Sequence, residues 1–284
     1  MRLDDLQESE NVEDRRGMSR GKVAAGGGIG VLVIALIVMA MGGDPSALLS
    51  QDGVNQGSQD TSTPYQASPE EEELRKLVSK TLKSTEEVWQ REFPAQLGKQ
   101  YREPKLVMFT GQVDSACGAA EAGMGPFYCG EDQNVYIDLS FYQTLRERFR
   151  SAGDFAQAYV IAHEVGHHVQ RQLGVLDKVH ARRGSISEEQ YNQLSVRLEL
   201  QADFLAGVWA HHAQDRVGLD EQDIREALEA ASAIGDDNIQ RQSQGYVQPE
   251  SFTHGSGEQR VRWFMRGYES GKIADGDTFN ARKL

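Results

Sequence analysis

Residues 159–170, Tyr-Val-Ile-Ala-His-Glu-Val-Gly-His-His-Val-Gln, constrain the fold of this chain more than any other stretch. They contain His163-Glu164-x-x-His167, the two-histidine zinc signature. At i, i+4 spacing the two imidazoles rise from one helix face, with Cβ atoms about 5–6 Å apart. Glu164 is then rotated about 100° round the axis, beside the pair rather than within it. The helix is signalled independently. Phe155, Ala158, Ala162, Val165, Val169 and Leu173 recur at spacings of three or four, and Gly174 supplies a stop. At the other end Asp154 reads as the N-cap, with Gln157 completing a capping box.

Two histidines do not complete a catalytic zinc site. A third protein ligand is needed, with the fourth position left to water. The metzincin extension requires Gly at 170 and His at 173, where this chain has Gln170 and Leu173. The candidates instead lie on a second long helix, in Arg197-Leu-Glu-Leu-Gln-Ala-Asp203. Glu199 and Asp203 share a face, and Leu194, Leu198, Leu205 and Trp209 form an apolar stripe beside it that would dock on the metal helix. We read Glu199 as the zinc ligand and Asp203 as the acceptor that fixes a ligand histidine's tautomer. Asp203, His180 or His211 as third ligand, or a merely exposed acidic pair, are the alternatives. One zinc ion per chain is expected. A bound zinc lowers the pKa of water toward about 7, and Glu164 is placed to act as general base. For a further donor to the developing oxyanion we favour His254, in a loop before the last helix, with Arg260 one turn on. A backbone-capping histidine and an ordinary salt bridge are the plainer readings of these two. His168 points to another face and reads as packed or solvated, and His211 and His212 as structural.

The totals set the class of partner and the compartment. In 284 residues the formal net charge is −13, which argues against nucleic acid and against an anionic membrane surface. Residues 23–42 are uncharged and would span about 30 Å as a helix, the thickness of a bilayer core. Arg2, Arg15, Arg16, Arg20 and Lys22 precede them, and no further Lys or Arg follows until Arg75. The positive-inside rule therefore predicts one membrane crossing, with residues 1–22 as a cytoplasmic tail lacking any core-forming pattern and everything after 43 outside. A cleaved signal peptide is the rival, disfavoured by the length of the run and the lack of a clear cleavage site. Gly26 and Gly30 form a small-xxx-small pair, more simply read as glycines tolerated in a membrane helix. In an oxidising compartment Cys117 and Cys129 are expected to form a disulfide, worth about 3 kcal/mol in the chain-entropy model.

In chain order, residues 43–68 are rich in Gly, Asp, Ser, Gln and Thr and read as a flexible linker. The folded domain, 69–284, opens at Ser68-Pro69-Glu70-Glu71, a capped helix running to about Glu92, before Pro94. Leu106–Phe109 and Val135–Leu139 read as strands of a small, mostly antiparallel sheet, separated by a Gly-rich segment holding both cysteines. The later strand is a candidate edge for an extended substrate, or else interior. After the metal helix come a polar connection at 174–186, the long helix capped by Ser187 and Gln190 and reaching about Gln214, and another opened by Asp220 and ending near Gly235. A Gln/Ser-rich loop then leads to a last helix capped by Ser256 and Gln259.

Together, His163-Glu164-x-x-His167 and Glu199-x-x-x-Asp203 resemble the gluzincin zinc peptidases. Thr253-His254-Gly255-Ser256-Gly257-Glu258-Gln259-Arg260-Val261 looks like the C-terminal Thr-His-Pro…Arg element of heat-shock and CAAX-type membrane zinc proteases, with Gly255 where Pro is usual. That likeness implies an active-site role for His254 and Arg260. The whole layout, including the Glu8-Ser-Glu-Asn-Val-Glu-Asp-Arg-Arg-Gly17 opening, is similar to the bacterial family of putative neutral zinc metallopeptidases. The implied fold is α+β, a mainly helical zincin-like domain with a small sheet, preceded by one transmembrane helix. The implied function is peptide-bond hydrolysis outside the cytoplasm by a protein of the bacterial inner membrane, with a peptide or protein as substrate. A non-catalytic envelope binding or assembly factor, and a zinc amidase acting on cell-wall peptides, are the other readings of the same site.

Overall fold

In a computed structural model, residues 1–18, 65–149 and 153–284 are described. The expected membrane run 23–42, its Gly26/Gly30 pair and linker residues 43–64 lie outside them. Among the described residues no helix is long and apolar enough to cross a membrane.

The fold is mainly helical α+β. A short strand β1 (Val12–Asp14) precedes helix α1 (Pro69–Leu97). Then come strands β2 (Lys105–Phe109), β3 (Gln112–Ser115), β4 (Gly118–Glu121), β5 (Phe127–Cys129) and β6 (Asn134–Asp138). The remaining helices are α2 (Ser140–Phe149), α3 (Asp154–Leu173), α4 (Val175–His180), α5 (Glu188–Val217), α6 (Glu221–Ala233), α7 (Asp236–Gln244) and α8 (Gly257–Ser270).

The main sheet is mixed, in order β1-β2-β6-β5. Strands β1, β2 and β6 run parallel, while β5 is antiparallel to β6. This corrects the expected mostly antiparallel sheet. The reason is β1, which comes from the N-terminal residues and pairs Val12 with Leu106 and Asp14 with Met108. Of the two readings of the later strand the interior one holds: β6 lies inside the sheet and β5 is the outer strand. The antiparallel hairpin β3–β4 stands apart as a second sheet, and the Cys117–Cys129 disulfide joins its turn to β5.

Residues 1–18 are therefore part of the folded unit, not a tail without core contacts. Leu6 is 4% exposed within the main core. Ser9 Oγ donates to the buried Glu86 of α1 at 2.5 Å, and Asn11 Nδ2 bridges Glu86 and Glu103 at 2.9 and 2.7 Å. Arg16, its side chain 3% exposed, meets Asp14 at 2.6 Å, Glu72 at 3.0 Å and Glu71 at 3.3 Å. Polar and charged partners hold most of this arm, so no apolar periodicity announces it.

Other boundaries shift for local reasons. Helix α1 starts at the Ser68 cap as expected but continues through Pro94 to Leu97. Burial of Phe93 holds its last turn, and Gln96 bonds Glu92 and the carbonyl of Gly271. The N-cap of α3 is Gly153, with no side-chain cap, and Asp154 is already helical. Helix α4 falls in the expected polar connection, α7 occupies much of the expected Gln/Ser-rich loop, and α2 lies where no helix was expected. The Ser187/Gln190 and Ser256/Gln259 capping boxes are both formed.

Helices α5 and α8 cross at two glycines. A Cβ on Gly207 would lie 2.0 Å from the carbonyl oxygen of Phe264, and one on Gly267 would lie 2.0 Å from that of Phe204. Only glycine permits this backbone approach. It brings Arg260 of α8 within reach of Asp203 on α5.

Candidate metal centre

Helix α3 is buried along its length from Phe155 to Gln170 and packs against α5. The packing brings one atom each of His163, His167 and Glu199 within 4.8 Å of one another. Glu199 Oε2 lies 3.2 Å from His163 Nε2 and 3.5 Å from His167 Nε2. Ligands held about 2.0–2.1 Å from a tetrahedral zinc are separated by about 3.3 Å, so the spacing and the N, N, O donor set both fit that ion. His180 and His211, the alternative third ligands, fall outside the cluster.

The far nitrogen of each imidazole is held by an acceptor. His163 Nδ1 lies 2.8 Å from Asp203 Oδ1, and His167 Nδ1 lies 2.9 Å from Gln170 Oε1. With Nδ1–H donating, each Nε2 lone pair is free to face the ion. Gln170 is itself held, since its amide donates to Leu198 O and to Gln201 Oε1. The sequence reading missed Gln170. Its position one turn beyond His167 on the same helix was the available signal.

Behind His163 lies a closed polar network. Arg260 spans Asp203, with Nε 2.9 Å from Oδ2 and Nη2 3.0 Å from Oδ1. The Tyr159 hydroxyl donates to Asp203 Oδ1 at 2.5 Å and accepts from Arg260 Nη2 at 3.1 Å. Both Arg260 and Asp203 are buried. Of the two readings of Arg260, the geometry matches the salt bridge: its guanidinium is bound to Asp203, behind the metal ligands. Tyr159 was not singled out as a site residue from sequence, although it opens the stretch read as the core of the chain.

These charges set the proton affinities. Burial opposes charge on His163, but the Asp203 carboxylate and the bond to Glu199 outweigh it and carry the imidazole up to about 10. Burial would also raise Asp203, yet Arg260 and His163 bring it down to about 2. His168 moves the other way, to about 4, because burial meets only the Arg102 carbonyl and no carboxylate. It is packed, with Nδ1 3.0 Å from the Tyr128 hydroxyl and Nε2 2.6 Å from Arg102 O, and is no ligand. Glu164 is raised, first by burial, and it feels the charges of His167, His163 and Glu199.

His254 lies in the loop before α8. Its Nδ1 is 3.2 Å from Asp236 Oδ1 and 2.9 Å from Thr253 Oγ1, and its charge is felt by Glu199. Asp236 Oδ2 also accepts the backbone N–H groups of Thr253, His254 and Gly255 at 2.7, 2.6 and 3.0 Å. Gly255 adopts φ +92°. A proline has neither that φ nor an N–H to give, which accounts for glycine where the similar element carries proline.

A buried helix pair presenting two histidines and a glutamate, with a glutamate next to the first histidine, defines the class of the HExxH zinc proteins. More particularly, the chain belongs to the family described as Putative neutral zinc metallopeptidase, which it matches over residues 1–279. It is 46% identical to the Escherichia coli protein YpfJ over 98% of this chain and 99% of that one. It is 41% identical to Mb2605 of Mycobacterium bovis and to Rv2575 of Mycobacterium tuberculosis, over 87% of this chain and 86% of each. No solved structure matches it significantly.

Proposed function

We propose that the chain is a zinc-dependent peptidase that hydrolyses peptide bonds of a peptide or protein substrate outside the cytoplasm. The observation that carries this reading is Glu164. It is the neighbour of His163 in sequence, it feels the charge of all three converging metal donors, and its proton affinity is raised, first by burial. A structural metal site has no use for such a group. The Cys117–Cys129 disulfide supports an oxidising compartment.

His163, His167 and Glu199 would hold the ion, which when bound acidifies water and polarises a carbonyl. Glu164 takes a proton from the attacking water and delivers it to the leaving amine, a role favoured by a carboxylate lifted toward neutral pH. His254, held by Asp236 and raised because Asp236 and Glu199 outweigh its burial, donates to the carbonyl oxygen as negative charge develops there. Asp203 and Gln170 keep the ligand imidazoles in the metal-binding tautomer. Arg260 and Tyr159 keep Asp203 ionised and in place.

Glu164→Gln is the test. The variant should keep one zinc per chain by metal analysis and lose peptide hydrolysis by about 10²–10⁴-fold. Undiminished cleavage by that variant, or a zinc-loaded wild type inert toward a broad peptide library, overturns the proposal.

A further inference from the structure

The described residues that flank positions 19–64 lie side by side. The Arg16 guanidinium lies 5.5 Å from the centroid of the Tyr65 ring, and the same group pairs with Glu71 and Glu72 in the first turn of α1. Residues 16 and 65 are therefore neighbours. The uncharged run 23–42 lies between them.

A single crossing by that run would place residues 22 and 43 on opposite faces of a core about 30 Å thick. The arm and α1 could then meet only if residues 43–64 crossed back. Those residues include Asp44, Asp52 and Asp60 and no long apolar run. Each carboxylate at the bilayer centre would cost about 2.5–3.5 kcal/mol. Nor can 23–42 cross twice, since one helical crossing alone takes about 20 residues. Exchanging arms between two copies inserted the same way changes nothing. A docked arm and a single crossing exclude one another.

The arm is docked by more than surface contact. β1 is in register with β2, the Arg15 amide donates to Met108 O at 2.8 Å, and Leu106 donates to Asn11 O at 2.9 Å. Leu6 enters the main core, and buried Glu86 takes Ser9 and Asn11 as partners. Two of the cations behind the positive-inside expectation, Arg15 and Arg16, are engaged by Glu13 and by Asp14, Glu71 and Glu72.

We propose that the chain is held at a membrane with residues 1–18 and 65–284 on the same side of it.

The experiment uses the full chain in bacterial membranes, with Glu10→Cys or Glu221→Cys, both exposed, introduced singly. The native cysteines are joined to each other and do not react with maleimide. A membrane-impermeant maleimide is applied to intact spheroplasts and to inverted vesicles. Both positions should label in the same preparation, at least tenfold above the other preparation. Labelling of position 10 in one preparation and position 221 in the other overturns the proposal. So does recovery of the unaltered full chain in the soluble fraction.

Discussion

The metal centre and the seat of the N-terminal arm are both built from buried charge, yet they are wired differently. Around His163, Asp203 faces both the imidazole and the Arg260 guanidinium across helices that the core already holds together, and Arg260 and Asp203 are almost wholly out of water. Around Arg16 the guanidinium is buried while its carboxylates stay partly open, 26–41% exposed. The first arrangement tolerates no missing member, because a lone buried charge has nothing to compensate it. The second can lose one and let solvent take over.

The largest expected effect comes from breaking the first arrangement. Arg260→Met leaves Asp203 buried beside Tyr159 without its cation, and should lower stability by about 3–5 kcal/mol in urea unfolding. Zinc affinity should fall as well, by about 10–100-fold, since Asp203 loses its orientation toward His163. An unfolding midpoint and zinc affinity equal to wild type would show that the network behind His163 is not needed.

A second experiment tests the contrast between two histidines of one helix. His168 stays neutral in the fold down to about 4, because burial opposes its charge and no carboxylate adjoins it. The unfolded chain takes up this proton as pH falls below about 6.5. Its contribution to stability is therefore complete above that pH and is lost as pH falls toward 4. The full loss is about 3 kcal/mol. Between pH 6.5 and 5, above most carboxylate titration, the decline in urea midpoint should be visible in wild type and flattened in His168→Gln. An equal decline in both proteins removes His168 as its source.

The same contrast explains what could be read from sequence. His163, Glu164 and His167 are four residues apart at most, so helix geometry alone joins them. Glu199 and Asp203 are likewise local to one helix, and the apolar stripe of Leu198, Leu205 and Trp209 said which way they face. Arg260 was legible as a site residue but not in its role, because choosing between substrate and Asp203 depends on how closely α5 and α8 approach, and Gly207 and Gly267 fix that distance. The arm carried part of the family resemblance in Glu8–Gly17 but was not legible as folded structure. Its partners for Ser9, Asn11 and Arg16 lie 55 to 92 residues along the chain, and their polar pairing leaves no period to detect. The mixed sheet follows from the same omission, since without β1 only half of its parallel pairing is in view.

Within the arm the partners are graded. Arg16→Gln removes charge-assisted bonds from a buried side chain and should cost about 2 kcal/mol of docking. Hydrogen exchange of the Leu106 amide, bonded to Asn11 O, reports this locally as a protection factor lowered about 30-fold.

Arg75→Gln removes the neighbouring contact to Glu8, a pair 23% and 39% exposed. Its two bonds, at 2.6 and 3.2 Å, resemble those of Arg16 in geometry. Water already solvates both partners, however, so the loss should stay below about 1 kcal/mol and shrink further in salt. If Leu106 exchange is disturbed as much by Arg75→Gln as by Arg16→Gln, burial is not what separates them. Docking would then rest on the summed pairing of charges between the arm and α1, and its sensitivity to salt would extend to both variants.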